Sequence, residues 1–248
     1  MPSLLKEYLT TMPFAETPLR DEYAAAVERV AGRTLDALRG AEGAAALADP
    51  DTAAPRPLLA AVRVLGADLF TPQVLAGAEP DGPTAALLAE ARRAFPAPAP
   101  ASAEAALVIA WQDRAVDQLL ARTPYGDAAP AAEPSPLPGP ADLGWQSWSV
   151  RMAQLSVLAL PGLDGPVHQA ARSDTLALAR GTVRSMLRRD FTTAVRLGRW
   201  LAWTSAEGHP LRIEVEPILD RTRLVGISAV RTRLELAIAQ RLLESSPA

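Results

Sequence analysis

The sequence predicts an all-α protein, an irregular multi-helix bundle with at most one short extended segment. Apolar side chains recur every three or four residues over most of the 248 positions, which is the period of an amphipathic helix. Strict alternation of polar and apolar residues, typical of a half-buried strand, occurs only over 211–216. A lone strand has no pairing partner, so we expect this segment to be extended or to begin a helix.

In the first half of the chain, capping residues and prolines mark where the helices begin. The first helix is predicted to begin at Thr17-Pro18 and to end at Gly40, and 41–57 is predicted to be a connection. The helices that follow are predicted over 58–70, from Thr71, from Pro83 to before Pro96, and over 103–122 after the capping residue Ser102.

The segment 123–140 contains six prolines and two glycines, so it is neither a helix nor a central strand. A loop of this length is typical of a lid, a binding loop or a mobile surface loop, and these alternatives stay open. It offers one soft division in what we otherwise expect to be a single helical domain over 1–248.

The second half is predicted to be helical again from Ala141 to Pro161-Gly162. A long helical stretch is predicted over 166–205 with an interruption at 188–190, where Asp190 suits a helix N-cap. The last predicted helix covers 228–244, with Val230, Leu234, Ile238 and Leu242 facing inward.

The composition argues against several classes of function. The chain has no cysteine and two histidines, and it lacks the Gly-rich phosphate loops and the HExxH and GxSxG motifs. We therefore expect no metal and no cofactor. The N-terminus lacks the features of a signal peptide, and no apolar stretch approaches the roughly 20 residues of a bilayer span. We expect a cytoplasmic protein that has no membrane contact.

Charge is distributed unevenly along the chain, whose net charge is −3. From Pro166 onward there are thirteen arginines against eight acidic residues, so the acidic excess lies in the first two thirds. This asymmetry predicts either packing of one part against the other or an anionic partner. The overall negative charge and the lack of a reading element argue against nucleic acid.

A first candidate site surrounds Asp113, with Trp111 and Arg114 beside it. On a helix Asp113 lies at the edge of the apolar stripe, where a carboxylate is costly unless it is paired or functional. Asp113 is therefore either a catalytic carboxylate, which holds a substrate amine or acts as a general base, or the partner of an arginine from the C-terminal helices. In the first case Trp111 and Arg114 would contact the substrate.

A second candidate site is the helix that carries Trp145 and Trp148 among Gln and Ser residues. Aromatic walls with amide and hydroxyl groups are typical of a small-molecule pocket between helices. A core tryptophan pair beside a solvated face has the same pattern. Both interpretations stay open.

A third candidate site is the series Arg180, Arg184 and Arg188, spaced four residues apart, with Arg172 and Arg196 at nearly the same helical angle. Like charges at this spacing repel, and a bound oxyanion or facing carboxylates would relieve the repulsion. The series therefore predicts a phosphate, sulfate or carboxylate site, with a solvated or salt-bridged face as the alternative.

His168 is either structural or, if it faces the same cavity as Asp113, the best candidate for a catalytic proton carrier. Trp200 and Trp203 are expected to seal the core, with Arg199 stacked on an indole ring.

The chain resembles the helical proteins of actinobacterial natural-product clusters, on the residues 111–114, 144–148 and 199–203. In length and in the general character of its sequence it is similar to the helical subunits of the heteromeric enzyme that forms the aziridine ring in azinomycin-type antibiotic biosynthesis. The resemblance implies a metal-free cyclisation of secondary metabolism, in which an amine displaces a neighbouring sulfate or phosphate ester, performed with a partner subunit.

The function expected from the sequence is therefore a cofactor-free biosynthetic enzyme, or a subunit of one, that acts on a small anionic substrate. The alternative is a non-catalytic helical module that binds a ligand or another protein. A cavity shared by Asp113, the Trp145/Trp148 helix and the arginine series would favour the enzyme.

Overall fold

The structure is a computed structural model that describes residues 16–40, 54–97, 99–126, 133–225 and 228–245. Of the described residues 73% are helical, and none of them forms a strand. The predicted all-α multi-helix fold is therefore confirmed. Residues 211–215, which carry the alternating pattern, form turns and irregular backbone that lead into a helix.

The helices of the first half are α1 (Glu16–Leu38), α2 (Arg56–Leu65), a 3₁₀ helix (Gly66–Phe70), α3 (Thr71–Leu75), α4 (Gly82–Ala94) and α5 (Ala103–Leu120). Those of the second half are α6 (Pro140–Leu143), α7 (Trp145–Gln154), a second 3₁₀ helix (Ser156–Leu158), α8 (Pro166–Ser173), α9 (Thr175–Leu187), α10 (Phe191–Ala206), α11 (Glu216–Val225) and α12 (Val230–Glu244).

Local capping chemistry explains several of the helix ends. The Ser102 hydroxyl accepts a hydrogen bond from the Ala105 amide at 3.1 Å, and Asp190 accepts one from the Thr193 amide at 3.1 Å. Gly40 adopts a φ of +71°, as expected of a residue that ends a helix. These predicted boundaries are confirmed. Most of the predicted connection at 41–57 lies outside the described residues.

Two predicted helical stretches are more interrupted than the sequence suggested. Gly144, with a φ of +74°, separates α6 from α7, and the stretch continues beyond Gln154 as a 3₁₀ helix. Asp174 separates α8 from α9 within the segment predicted to be one long helix. The consequence is that residues on either side of Asp174 do not share one helical face.

The core is organised around α10, which packs against α9 on one side and α12 on the other. Its side chains Leu197, Trp200, Leu201 and Trp203 are fully buried. The helix α12 also packs against α1, and α1 packs against α2. The Glu28 carboxylate of α1 accepts a hydrogen bond from the Val230 amide at 2.6 Å, so it satisfies a donor at the start of α12.

The run Arg56–Leu75 is the one described segment that is long and apolar enough to span a bilayer, with 20 residues and a mean hydropathy of 1.4. The expectation that no apolar stretch approaches that length was therefore wrong for this segment. In the structure 61% of its apolar window is buried inside the protein. Packing of α2 against α1 and α4 accounts for the apolar composition.

Part of the proline-rich loop is held on the protein surface by Trp111. The indole Nε1 of Trp111 donates a hydrogen bond to the carbonyl of Ser135 at 3.1 Å, and Leu137 packs against the core. Residues 127–132, which belong to the segment predicted to be a lid, a binding loop or a mobile surface loop, lie outside the described residues.

The helices α7 and α9 approach closely at Gly181. A Cβ atom on Gly181 would lie 2.5 Å from the Cβ of Ser149 and 3.0 Å from a Cδ of Leu197. Because Cβ atoms do not approach that closely, the missing side chain of Gly181 is what permits this contact.

Gly181→Ala should therefore lower the free energy of unfolding by about 1–3 kcal/mol, because the added methyl group forces α7 and α9 apart. The matched control is Gly32→Ala in α1, where the nearest atom, a Cγ of Val230, would lie at 3.7 Å. The control should raise stability by about 0.5–1 kcal/mol, as alanine usually does in a helix. Urea unfolding measures both, and equal effects would contradict the packing argument.

Candidate functional site

A cleft of about 1130 Å³ lies beside α5, and half of the residues that line it are charged. We call it the Arg63–Asp113 cleft. Its charged lining residues are Arg63, Arg92, Arg93, Arg114, Asp113, Asp117 and Asp164. Guanidinium groups outnumber carboxylates in this lining, so the cleft favours an anionic or zwitterionic ligand.

Two ion pairs form the walls of the Arg63–Asp113 cleft. Arg63 of α2 contacts both carboxylate oxygens of Asp113, at 2.8 and 3.0 Å, and its Nε donates to the carbonyl of Phe95 at 3.2 Å. Arg92 of α4 pairs with Asp117, one turn further along α5. The pairs cross-link α5 to α2 and α4. The partner of Asp113 thus comes from α2, and the expected pairing with an arginine of the C-terminal helices was wrong.

Asp164 stands at the opposite edge of the cleft, ahead of α8. The Gly165 backbone amide, together with Arg172, holds the pKa of Asp164 below its usual range. Arg172 pairs with Asp164 at 3.0 Å and lies over the Trp203 ring at 4.8 Å. This carboxylate is therefore fixed in its charged form at neutral pH.

A buried charge cluster lies deeper in the protein, around Arg199 of α10. We call it the Arg199 cluster; its members are Arg199, Asp68, Glu235, Arg196 and Ser156. Arg199 is completely buried, and its Nη1 lies 2.8 Å from Asp68 and 3.2 Å from Glu235. Its remaining nitrogens donate to the carbonyls of Val157 and Ala159.

Glu235 accepts hydrogen bonds from three side chains inside this cluster. The Ser156 hydroxyl lies 3.2 and 3.0 Å from its two oxygens and shares its single proton between them. One oxygen also accepts from Arg196 at 3.2 Å, and the other accepts from Arg199 at 3.2 Å. Each oxygen of the buried carboxylate therefore has an arginine donor.

The pKa values of the two buried carboxyl groups, Asp68 and Glu235, shift in opposite directions. Burial, reinforced by the neighbouring Glu235, raises the pKa of Asp68 against the opposing effect of Arg199. Burial also acts against ionisation of Glu235, but three guanidinium groups outweigh it and lower the pKa of Glu235. These belong to Arg199, Arg196 and Arg231.

His168 is buried among aromatic rings and does not line the Arg63–Asp113 cleft. Its ring lies 5.5 Å from that of Trp200 and 5.0 Å from that of Trp203, and Nε2 lies 2.8 Å from the Leu158 carbonyl. Burial lowers the pKa of His168 below its usual range. The structure thus places His168 in the core as a neutral ring, apart from the cleft that holds Asp113.

The three predicted tryptophan contacts lie outside the cleft lining. Trp111 is buried beneath the proline-rich loop, and Trp148 is a core residue of α7. Trp145 is half-buried, and the guanidinium of Arg184 lies over its ring at 5.9 Å. The structure brings Asp113 and Arg114 together in one cleft and leaves the tryptophans elsewhere.

The predicted arginine series is divided between three helices. Arg180 and Arg184 are exposed on α9, where no described acidic side chain pairs with them. Arg172 belongs to α8 and Arg196 to α10, because the chain breaks at Asp174 and again at Asp190. Arg180, Arg184 and the C-cap residue Arg188 thus follow one helix, but the predicted extension of the row to Arg172 and Arg196 was wrong. Arg199 lies in the charge cluster, and it is Arg172 that lies over an indole.

Several residues of these sites were not predicted from the sequence. Glu235 lies on the buried face of α12 together with Ile238 and Leu242, a placement the helical periodicity already indicated. Asp68 stands within the apolar run 64–70, which is also visible in the sequence. The cleft arginines of α2 and α4 could not be recognised as site residues from the sequence, because arginines at the same spacing occur on ordinary solvent-exposed helices.

Comparisons of the chain with protein-family models, with characterised proteins and with solved structures found no match. The resemblance to aziridine-forming subunits therefore stays a prediction. Among the described residues, no three His, Asp or Glu side chains lie close enough to hold a metal ion.

Arg199→Met should lower the free energy of unfolding by about 3–5 kcal/mol, because it leaves Asp68 and Glu235 buried with less compensating charge. The control is Arg223→Met, which removes an exposed ion pair with Asp220 on α11 and should cost at most about 1 kcal/mol. Chemical denaturation compares the two. Similar losses would show that the cluster contributes no more than a surface pair.

Acid should destabilise the protein through His168. The unfolded chain binds a proton near pH 6.5 while the folded ring resists it, so stability is lost as the pH falls below about 6.5. His168→Gln should remove this part of the pH dependence, which amounts to at most about 1.4 kcal/mol per pH unit. Unfolding curves between pH 5 and 8 measure it.

His209→Gln, at an exposed histidine, is the control and should leave the pH dependence parallel to that of the unmodified protein. If the stability difference between the unmodified protein and His168→Gln stays constant with pH, then His168 is not held neutral by the fold.

Proposed function

We propose that this protein binds a small anionic molecule in the Arg63–Asp113 cleft and acts on it as a biosynthetic enzyme, or as a subunit of one, without a metal or cofactor. The observation that carries the proposal is the convergence of Arg63, Arg92, Arg93 and Arg114 on one cleft of about 1130 Å³. Guanidinium forks match carboxylate, sulfate and phosphate oxygens in geometry as well as charge.

The cleft has the size of a small-molecule site. The charged residues among its lining favour a ligand that carries charge itself. The Tyr125 hydroxyl and the Gln118 amide add neutral hydrogen-bonding groups to the arginines. A ligand that carries both an oxyanion and an amine would find a partner for each charge here.

Asp113 is the residue we assign to the reacting amine. Its carboxylate lines the cleft, and two contacts from Arg63 fix its orientation, so it is positioned to accept a proton or to hold an ammonium group. In the cyclisation implied by the resemblance, the amine would attack a neighbouring carbon. The sulfate or phosphate would then leave as an oxyanion toward the cleft arginines.

The second candidate is a ligand-binding module without catalysis. It is favoured by the same ion pairs, because Asp113 and Asp117 already have arginine partners and the cleft is neutralised in part from within. The two candidates differ in whether the bound molecule is converted.

A partner subunit and a cytoplasmic location complete the proposal. The exposed stripe of α9 supports a protein partner, since Leu176, Val183 and Leu187 alternate there with Arg180 and Arg184. Leu187 is 80% exposed. Apolar side chains grouped on one helix face are typical of a surface that meets another protein.

The test is native mass spectrometry of the full chain after incubation with a small-metabolite extract of a natural-product-forming host. A bound anionic molecule should accompany the unmodified protein and be lost from Arg114→Gln by tenfold or more. Arg223→Gln, which changes an exposed arginine of α11, is the control and should keep the ligand.

Conversion of the bound molecule distinguishes the two candidates. For an enzyme, the unmodified protein should consume the ligand and Asp113→Asn should bind it without consuming it. Binding without consumption by the unmodified protein, alone and with its co-expressed neighbour, would favour the ligand-binding module. If no anion binds, or if Arg114→Gln and Arg223→Gln retain it equally, the cleft is not the site.

A further inference from the structure

A second cavity, of about 310 Å³, lies on the other side of Arg63 from the cleft. Polar groups line it from several directions: Arg196 of α10, Arg231 and Glu235 of α12, and Ser156 beyond α7. The side chains of Leu65, Val108 and Val157 form its apolar walls. The hydrogen bond from the Gln112 amide to the Gln154 carbonyl, at 2.8 Å, joins α5 to α7 at its edge.

Positive charge exceeds negative charge around this cavity. The Arg199 cluster and Arg231 together hold three guanidinium groups against two carboxylates, Asp68 and Glu235. Arg199 forms an ion pair with Asp68, and Arg196 forms one with Glu235. Arg231 is attracted to Glu235 from a distance but forms no ion pair with any described residue.

The Nε of Arg231 is the clearest sign of a missing partner. It is buried from solvent, and the described part of the chain offers it no hydrogen-bond acceptor. A buried donor without an acceptor is destabilising, because it has lost its hydrogen bonds to water and gained none in return. The cost is recovered when a bound molecule supplies an oxygen at this position.

The lining selects an oxyanion rather than a cation. The oxygens of Glu235 already accept hydrogen bonds from Ser156, Arg196 and Arg199, and these bonds leave them little capacity for an ammonium group. An approaching cation would also meet the guanidinium groups of Arg196, Arg231 and Arg63. An oxyanion is instead attracted to these three guanidinium groups, which can also donate hydrogen bonds to it.

We propose that this cavity is a binding site for a small oxyanion, a carboxylate or a phosphate, held by Arg231 and Arg196. The volume limits the ligand to a small molecule, and the walls of Leu65, Val108 and Val157 accommodate a short carbon chain attached to the anionic group. The site is separate from the one proposed in the Arg63–Asp113 cleft, since Asp113 and Arg114 do not line it.

The experiment is isothermal titration calorimetry of the full chain with inorganic phosphate and, separately, with acetate, at constant ionic strength set by sodium chloride. Saturable binding of at least one of these anions is expected. Arg231→Gln should weaken it tenfold or more. Arg233→Gln is the matched control, because Arg233 lies two residues away on α12 and is exposed.

Two further variants make the result decisive. Arg231→Lys keeps the charge but loses the buried Nε, so it should bind between the unmodified protein and Arg231→Gln, and it serves if Arg231→Gln does not fold. Arg114→Gln should lose only an anion held in the Arg63–Asp113 cleft and should keep the binding that Arg231→Gln weakens. The proposal is overturned if neither anion binds, if the Arg231 variants bind as tightly as Arg233→Gln, or if Arg114→Gln alone removes binding, which would locate the anion in the cleft.

Discussion

The burial of one guanidinium group constrains much of this structure. Arg199 lies on the central helix α10 with no exposed surface, and a charge in that position costs several kcal/mol unless it is fully paired. Its partners come from three separate parts of the chain: Asp68 after α2, the carbonyls of Val157 and Ala159 after α7, and Glu235 on α12. The relative positions of these elements are therefore fixed by the need to satisfy one side chain.

The same constraint explains why the cavities lie where they do. Apolar side chains pack tightly over one another, whereas charged groups require partners at defined distances and directions. Charged side chains lie among the apolar contacts around Arg199, and space remains beside Arg196 and Arg231. Arg63 lines both this space and the larger cleft, so one side chain forms a wall of each.

How much could be predicted from the sequence depended on the range of the interaction. The boundaries at Ser102 and Asp190 were predictable because a cap acts over three residues. Asp113 was predictable as an unusual position because its placement on a helical stripe is local. Its partner was not, because an arginine on α2 is indistinguishable in sequence from any other surface arginine until the helices pack.

The error over the arginine series has a different cause. Helical angles can be compared only within one uninterrupted helix, and the break at Asp174 carries no proline or glycine to reveal it. Once α8 and α9 are separate, Arg172 turns toward Asp164 and Trp203 while Arg180 stays on the surface. Tertiary packing, which places Trp203 beside α8, determines the outcome.

The position of α12 between α1 and α10 also bears on the order in which a newly made chain folds. The buried face of α1, with Ala26, Val30 and Ala31, depends on α12 for part of its cover, and the Val230 amide at the start of α12 binds Glu28. On the ribosome, α1 emerges long before α12 has been made. The part of its apolar face that α12 covers stays exposed until then, so we expect the core to close late and as one cooperative step.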